Sequence, residues 1–168
     1  MKYCVYLCII ALALLCACQT TTESTVETSV ADIQPMADAY ATATESGDVD
    51  TLVSMFTDDA MILPAEAPAV VGKEAIRSHF EASTENPQTL SINVQEVISS
   101  GDTVCTRGVF TSSTTPEGAE ASSIVTGKWV SVTKVQPDGS RKIQWHIWNT
   151  DEPMSEPIPS EDSTTTAD

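Results

Sequence analysis

From Ile33 onward the apolar positions recur at helical spacing, through Met36, Ala37 and Tyr40 to Thr44. Pro35 falls in the expected first turn, where a missing N–H breaks no helical bond, and Gly47 stops the helix. Asp48 caps a second helix, whose Val49, Leu52, Val53 and Phe56 lie at i, i+3, i+4 and i+7. Thr57-Asp58-Asp59 reads as a cap and turn before a short apolar strand over residues 60–63, which the Pro-flanked run 64–68 ends. A third helix follows Gly72 and carries Ile76, His79 and Phe80 along one stripe. From Thr89 the period drops to two, with Leu90, Ile92 and Val94 alternating with Ser91, Asn93 and Gln95. Ser99-Ser100-Gly101-Asp102 turns the chain into a second strand, 103–114, and a third covers 121–135. Gln136-Pro137-Asp138-Gly139 is a hairpin turn, because glycine supplies the positive φ, and a last strand covers 141–149. Three helices followed by a four-stranded antiparallel meander predict an α+β domain with helices covering one sheet face.

The flanks follow neither period. Lys2 precedes an apolar run over 5–17, shorter than the roughly 20 residues that span a bilayer, which makes it a targeting segment. Leu15-Cys16-Ala17-Cys18 resembles the lipobox of bacterial lipoproteins. That resemblance implies cleavage before Cys18, which then carries a thioether-linked diacylglycerol and commonly an N-acyl chain such as palmitate, an anchor stronger than one chain provides. An ordinary secretory cleavage near Ala17 is the rival. Gln19, where an Asp would resemble an inner-membrane retention signal, favours the outer membrane facing the periplasm. The division is therefore a lipoprotein signal peptide at 1–17, a lipidated flexible tether at 18–31, a domain at 32–150 and an acidic tail at 151–168. The tail holds Pro153, Pro157 and Pro159, with no Lys or Arg, and is expected to be disordered.

Charge and cysteine content narrow the partners. Of 168 residues, 24 are acidic and 8 basic, a formal charge of −16, so phosphate-neutralising contacts to nucleic acid are excluded. Once the signal leaves and Cys18 is lipidated, Cys105 is the remaining thiol, and the domain must hold together without a disulfide. The two histidines are far apart and there is neither HExxH nor paired CxxC, so no metal site is expected and no cofactor. A Gly-rich phosphate loop and a G-x-S-x-G elbow are also missing.

Several fragments in order carry a resemblance: Ser46-Gly47-Asp48, Leu52 to Phe56, Phe56-Thr57-Asp58-Asp59-Ala60, Gly72-Lys73-Glu74-Ala75-Ile76, Arg107-Gly108, and Asp138-Gly139 with Ile147-Trp148-Asn149. Together they resemble the NTF2-like superfamily, in its SnoaL-like and DUF4440 branch, which includes ketosteroid isomerase relatives. The resemblance implies an NTF2-like cone (an α+β roll): three N-terminal helices packed on a curved, mostly antiparallel sheet, open at one end to an apolar pocket, and often a homodimer through the outer sheet face. Such cones host enzymes and plain binders alike. Ketosteroid isomerase chemistry needs a carboxylate base and two acids facing an enolate oxygen. Alignment puts Pro64 at the base and Gly127 at the protonated carboxyl donor, and matches only Tyr40 to the tyrosine donor.

The remaining candidates keep two readings each. Tyr40 is a core tyrosine or a donor to a ligand oxygen. His146 is a half-buried strand histidine or an acid-base group near neutrality, and alternation groups it with Trp148 against Ile143, Trp145 and Ile147 without saying which face lines the pocket. Arg107 pairs outward across strands or clamps a ligand carboxylate. Glu66 is a loop residue after the first strand or a displaced base at the pocket mouth, Trp129 and Met61 are pocket wall or filling, and His79, beside the stripe of the third helix, reads first as a satisfied core residue. Pocket candidates are thus Tyr40, Met61, Trp129, His146 and Trp148, and catalytic candidates Tyr40, His146 and Arg107. The preferred expectation is an envelope-anchored module binding a small apolar or amphipathic ligand. The alternatives are an isomerase-, cyclase- or hydrolase-type enzyme with a Tyr/His/Arg site, and an interaction module using the outer sheet face.

Overall fold

A computed structural model describes residues 28–65, 67–83, 88–114 and 123–151; the signal, Cys18 and Glu66 lie outside them, as do most of the expected tether and nearly all of the tail. Helix α1 spans Val30–Ser46, α2 Val49–Ser54 and α3 Lys73–Ser83. Strands β1 (Phe56–Leu63), β2 (Val70–Val71), β3 (Gln88–Ser100), β4 (Thr103–Thr114), β5 (Ser123–Val135) and β6 (Arg141–Thr150) form one six-stranded sheet in the order β2-β1-β6-β5-β4-β3. The helices followed by this curved, mostly antiparallel sheet make the expected α+β cone.

The helix α1 begins two residues inside the stretch read as tether, because Ser29 and Asp32 close its first turn. The Asp32 carboxylate accepts from the Ser29 N–H at 2.8 Å and the Ser29 hydroxyl at 2.6 Å. Pro35 therefore stands in the second turn, where it removes a donor that would have reached Ala31. At the other end Gly47 adopts φ 67°, and Asp48 N–H bonds back to Ala43 O at 2.9 Å. Asp48 then caps α2, accepting from Thr51 N–H at 3.0 Å.

Helix α2 is shorter than the stripe predicts. Phe56 opens β1 instead, fully buried, because β6 captures the chain at once: Ile143 N–H donates to Met55 O at 2.7 Å. The β1–β6 pairing is parallel, Phe56 opposite Ile143 and Met61 opposite Trp145. Thr57-Asp58-Asp59 is consequently a bulged part of β1, not a cap and turn. The strand β2, absent from the sequence reading, forms a hairpin with β1, and Gly72 at φ 84° turns it into α3.

Beyond β6 the sheet is the predicted meander. Its outermost strand β3 has a free edge, which α1 covers with side chains that imitate a neighbouring strand. Gln34 Nε2 donates to Ile92 O at 2.8 Å while its Oε1 accepts from Val94 N–H at 2.9 Å, and Glu45 accepts from Leu90 N–H at 2.9 Å. These bonds satisfy backbone groups that would otherwise invite another chain.

The inner face bends around α1 through two glycine–aromatic pairs in register, Gly108 with Trp129 and Gly127 with Phe110. A Cβ on Gly108 would lie 2.9 Å from the Trp129 ring and overlap the Asn93 carbonyl, and one on Gly127 would overlap the Phe110 ring. Each ring rests where its neighbour has no side chain. Two apolar clusters result, one around Leu52, Phe56, Ile62 and Ile76 and the other around Ile33, Val94, Val104 and Trp129, with Trp148 touching both. Gly108→Ala should therefore lower unfolding free energy in urea by about 1–3 kcal/mol, as overpacking does. Thr111→Ala, exposed on the same strand, should stay within about 0.5 kcal/mol. Equal midpoints for the two variants would show that the Trp129 ring does not need the missing side chain.

Candidate functional site

A cavity of about 380 Å³ opens between the sheet and α1, walled by members of both clusters. Helix α1 contributes Ile33, Met36, Ala37, Tyr40 and Thr44 at the spacing of one helical face. The same face that the hydrophobic period marks as core is thus partly a wall. Helix α3 adds His79 and Phe80. From the sheet come alternate residues of β4 and β5, among them Thr106, Phe110, Trp129, Ser131 and Thr133, and of β6 His146, Trp148 and Thr150.

A β-bulge decides which face of β6 looks inward. Thr133 pairs with Ile143 but Val132 with Trp145, so Gln144 is an extra residue and the alternation skips a step. Ile143 and His146 therefore share the inner face, whereas Trp145 and Ile147 remain about half exposed outside, at 52% and 45%. The grouping of Ile143 with Trp145 and Ile147 fails for this reason.

Three polar side chains cross the inner face in one register row: Thr106 on β4 opposite Ser131 on β5, and Ser131 opposite His146 on β6. Ser131 Oγ lies 2.5 Å from His146 Nδ1. Rings surround the imidazole, with centroids at 5.2 Å for Trp148, 5.6 Å for Tyr40 and 6.2 Å for Trp129. Burial among them pushes the His146 pKa down to about 4. The same cause lowers the His79 pKa and raises that of Tyr40 above its ordinary value. At neutral pH all three are uncharged, and no Asp, Glu, Lys or Arg stands among the described lining residues. The wall can stack on rings, donate from Tyr40 and exchange hydrogen bonds along the Thr106–Ser131–His146 row.

The structure brings Tyr40, His146, Trp129 and Trp148 together on this cavity and keeps two candidates out. Arg107 lies on the opposite sheet face, exposed, with Nε 2.5 Å from Glu96 and NH1 2.9 Å from Gln95. Its parity on β4 is opposite to that of Thr106, so the Tyr/His/Arg constellation reduces to Tyr40 and His146. Met61 lies between the inward Ala60 and Ile62 and faces away from the cavity, so it is not pocket wall. Pro64 ends β1 and is not a lining residue, and Gly127 is covered by the Phe110 ring. Thr106, Ser131 and His79 were missed as site residues. Alternation through Val104-Thr106-Gly108-Phe110 and Gly127-Trp129-Ser131-Thr133 is the signal that places the first two inward. Among the described residues no three His, Cys, Asp or Glu side chains gather to hold a metal.

A model of the SnoaL-like domain matches residues 37–145. No curated protein matches. A ketosteroid isomerase-like protein from Erwinia carotovora atroseptica superposes with TM-score 0.65 at 20% identity, over 74% of this chain and 97% of that one. An NTF2-like superfamily protein from Salmonella enterica gives TM-score 0.64 at 11% identity, over 77% and 94%. ActVI-ORFA from Streptomyces coelicolor gives TM-score 0.64 at 12% identity, over 72% and 96%. At these identities the shared property is the fold.

The low pKa of His146 has a consequence for stability. An unfolded histidine takes up its proton near 6.5, whereas His146 does so near 4. Between those values the unfolded chain binds more protons, so stability present above pH 6.5 declines as pH falls toward 4. His146→Gln removes this component, leaving His79 and the carboxylates. The wild-type melting temperature should fall more steeply than the variant's between pH 6.5 and 4, by an amount corresponding to about 2–3 kcal/mol. Parallel pH profiles would contradict burial of a neutral imidazole.

Proposed function

The chain belongs to the SnoaL-like domain family, and from that premise we propose that it is a binding module which takes up one small, mainly apolar molecule in its cone. The observation carrying this reading is an open cavity of about 380 Å³ with aromatic and aliphatic walls and no charged side chain among the described lining residues. That size falls within the range of about 300–1,000 Å³ typical of small-molecule sites, and a few polar groups in an apolar wall are their usual composition.

The Ser131–His146 contact favours a second reading, an enzyme of isomerase, cyclase or hydrolase type using Tyr40 and His146. Two physical points weigh against it. A base titrating near 4 has little driving force to take a proton at neutral pH. A serine–histidine pair also needs a third group to orient the base, and no carboxylate lines the described wall. Binding is therefore the better account.

The reading includes an address. Residues 1–17 would be removed as a signal, and lipidated Cys18 would hold the domain at the bacterial envelope, in the outer membrane facing the periplasm; the Leu15-Cys16-Ala17-Cys18 motif followed by Gln19 supports this. The ten residue steps from Cys18 to Thr28 extend at most about 36 Å, which limits how far the domain can stand from the bilayer. Trp145 and Ile147, exposed beside Val130 on the outer sheet face, support pairing of two copies there.

Native mass spectrometry of the purified chain should show two copies and a co-purifying small molecule. Apo protein that also binds no apolar probe would eliminate the binding reading, and a single copy would eliminate the pairing. For the anchor, Cys18→Ser should move the protein from the membrane fraction to the soluble one. Retention of that variant in membranes would refute lipidation.

A further inference from the structure

Seven Lys and Arg follow Cys18, and four of them hold an acid: Lys73 with Asp58, Arg77 with Asp50, Arg107 with Glu96 and Lys128 with Asp151. The other three, Lys134, Arg141 and Lys142, lie together on the β5–β6 hairpin and pair with no carboxylate among the described residues. Lys134 stands directly opposite Lys142, and like charges facing each other across strands repel. Lys142 gives one donor to Ser54 O at 3.1 Å, which leaves its charge unneutralised. The acids at this end, Asp32, Asp59, Asp102 and Asp138, accept instead from the hydroxyls of Ser29, Thr57, Thr103 and Ser140.

The hairpin lies at the closed end of the cone. There the lining residues Ile33, Thr133 and Ile143 are buried, whereas Ser112, Val125 and Thr150 at the other end are partly exposed and form the mouth. The chain from Cys18 also joins the domain at the closed end, for Arg141 Nη2 donates to Thr28 Oγ1 at 3.4 Å just before α1. The 17 residues of α1 separate the two ends by about 25 Å. The acidic tail starts at the mouth, directly after Thr150, with six acids and no base in 151–168.

We infer that the closed end is a membrane-docking surface: Lys134 and Lys142, with Arg141 beside them, meet phosphate groups of anionic phospholipid in the bilayer that holds the anchor, and the mouth points away from it. This rests on lipidation at Cys18. A tether reaching about 36 Å would let the domain turn over, so charge decides which end faces the lipid. Three bases against four carboxylates give the closed end −1, against −6 for the tail. An anionic surface therefore repels the mouth end, and the unpaired bases gain the anions that no acid of the domain supplies. The cone then exchanges its small molecule with the aqueous compartment and not with the bilayer.

The test places the lipidated full-length chain on phosphatidylcholine vesicles with and without phosphatidylglycerol. A dye is attached at one of two exposed positions, Pro137→Cys in the hairpin turn or Thr126→Cys beside the mouth, each combined with Cys105→Ser. An acceptor on the lipid headgroups quenches the nearer dye. With phosphatidylglycerol, the dye at 137 should be quenched about twofold more than the dye at 126. Lys134→Gln with Lys142→Gln should remove most of that difference while the protein still floats with the vesicles and keeps its circular dichroism spectrum. Equal quenching at the two sites, or stronger quenching at 126, overturns the orientation and leaves the anchor standing. A difference as large on phosphatidylcholine alone, or one that persists in the lysine variant, overturns the headgroup contact. Wild-type protein that fails to float with the vesicles overturns the anchor itself.

Discussion

A sheet that curls around a helix crowds its inner face, and bulk fits there only where a neighbouring strand gives up its side chain. Gly108 beneath Trp129 and Gly127 beneath Phe110 meet that condition on the central strands. With ordinary side chains at both glycines, the two rings would have to stand up into the cavity or the strands would have to separate. The hollow, the inward rings and the polar row between them all depend on this accommodation. The bulge at Gln144 acts on β6 in a related way, bringing both Ile143 and His146 to the inner face.

Electrostatically the interior and the exterior oppose each other. The chain has three acids for every base, yet the described wall of the cavity presents only groups that are neutral at physiological pH. Ion pairs such as Arg107–Glu96 and Lys73–Asp58 lie at the exposed surface, where solvent screens them and each contributes little. Burial keeps His146 uncharged, because nothing at hand would compensate its proton. The property that makes the pocket receptive to an apolar molecule also makes it a poor place for acid-base work.

Edges of the sheet are treated differently at its two ends. The β3 edge is satisfied by Gln34 and Glu45 from α1, which also fixes the helix against the sheet and so sets one wall of the cavity. The opposite edge is the two-residue strand β2, too short to template another chain. This leaves the outer sheet face, with Trp145 and Ile147 side by side with Val130, as the exposed apolar surface.

Hydrophobic periodicity determined the three helices, the meander and the hairpin turns, because period, capping residues and glycine turns act within a few residues of one another. Asp48, Gly47 and the Pro137-Asp138-Gly139 turn behave as their local chemistry requires. The inward placement of Trp129 beside Ser131 and Thr133 was also available from alternation along β5. The parallel pairing of β1 with β6, the early end of α2 at Ser54 and the bulge that puts Ile143 and His146 on one face of β6 were decided by the tertiary structure. Each depends on a partner strand distant in sequence, with bulges shifting the register locally. The cavity belongs to the same class: a helical or strand period marks a residue as turned from water, but whether it meets another side chain or an empty space depends on how far apart the sheet and helix are held.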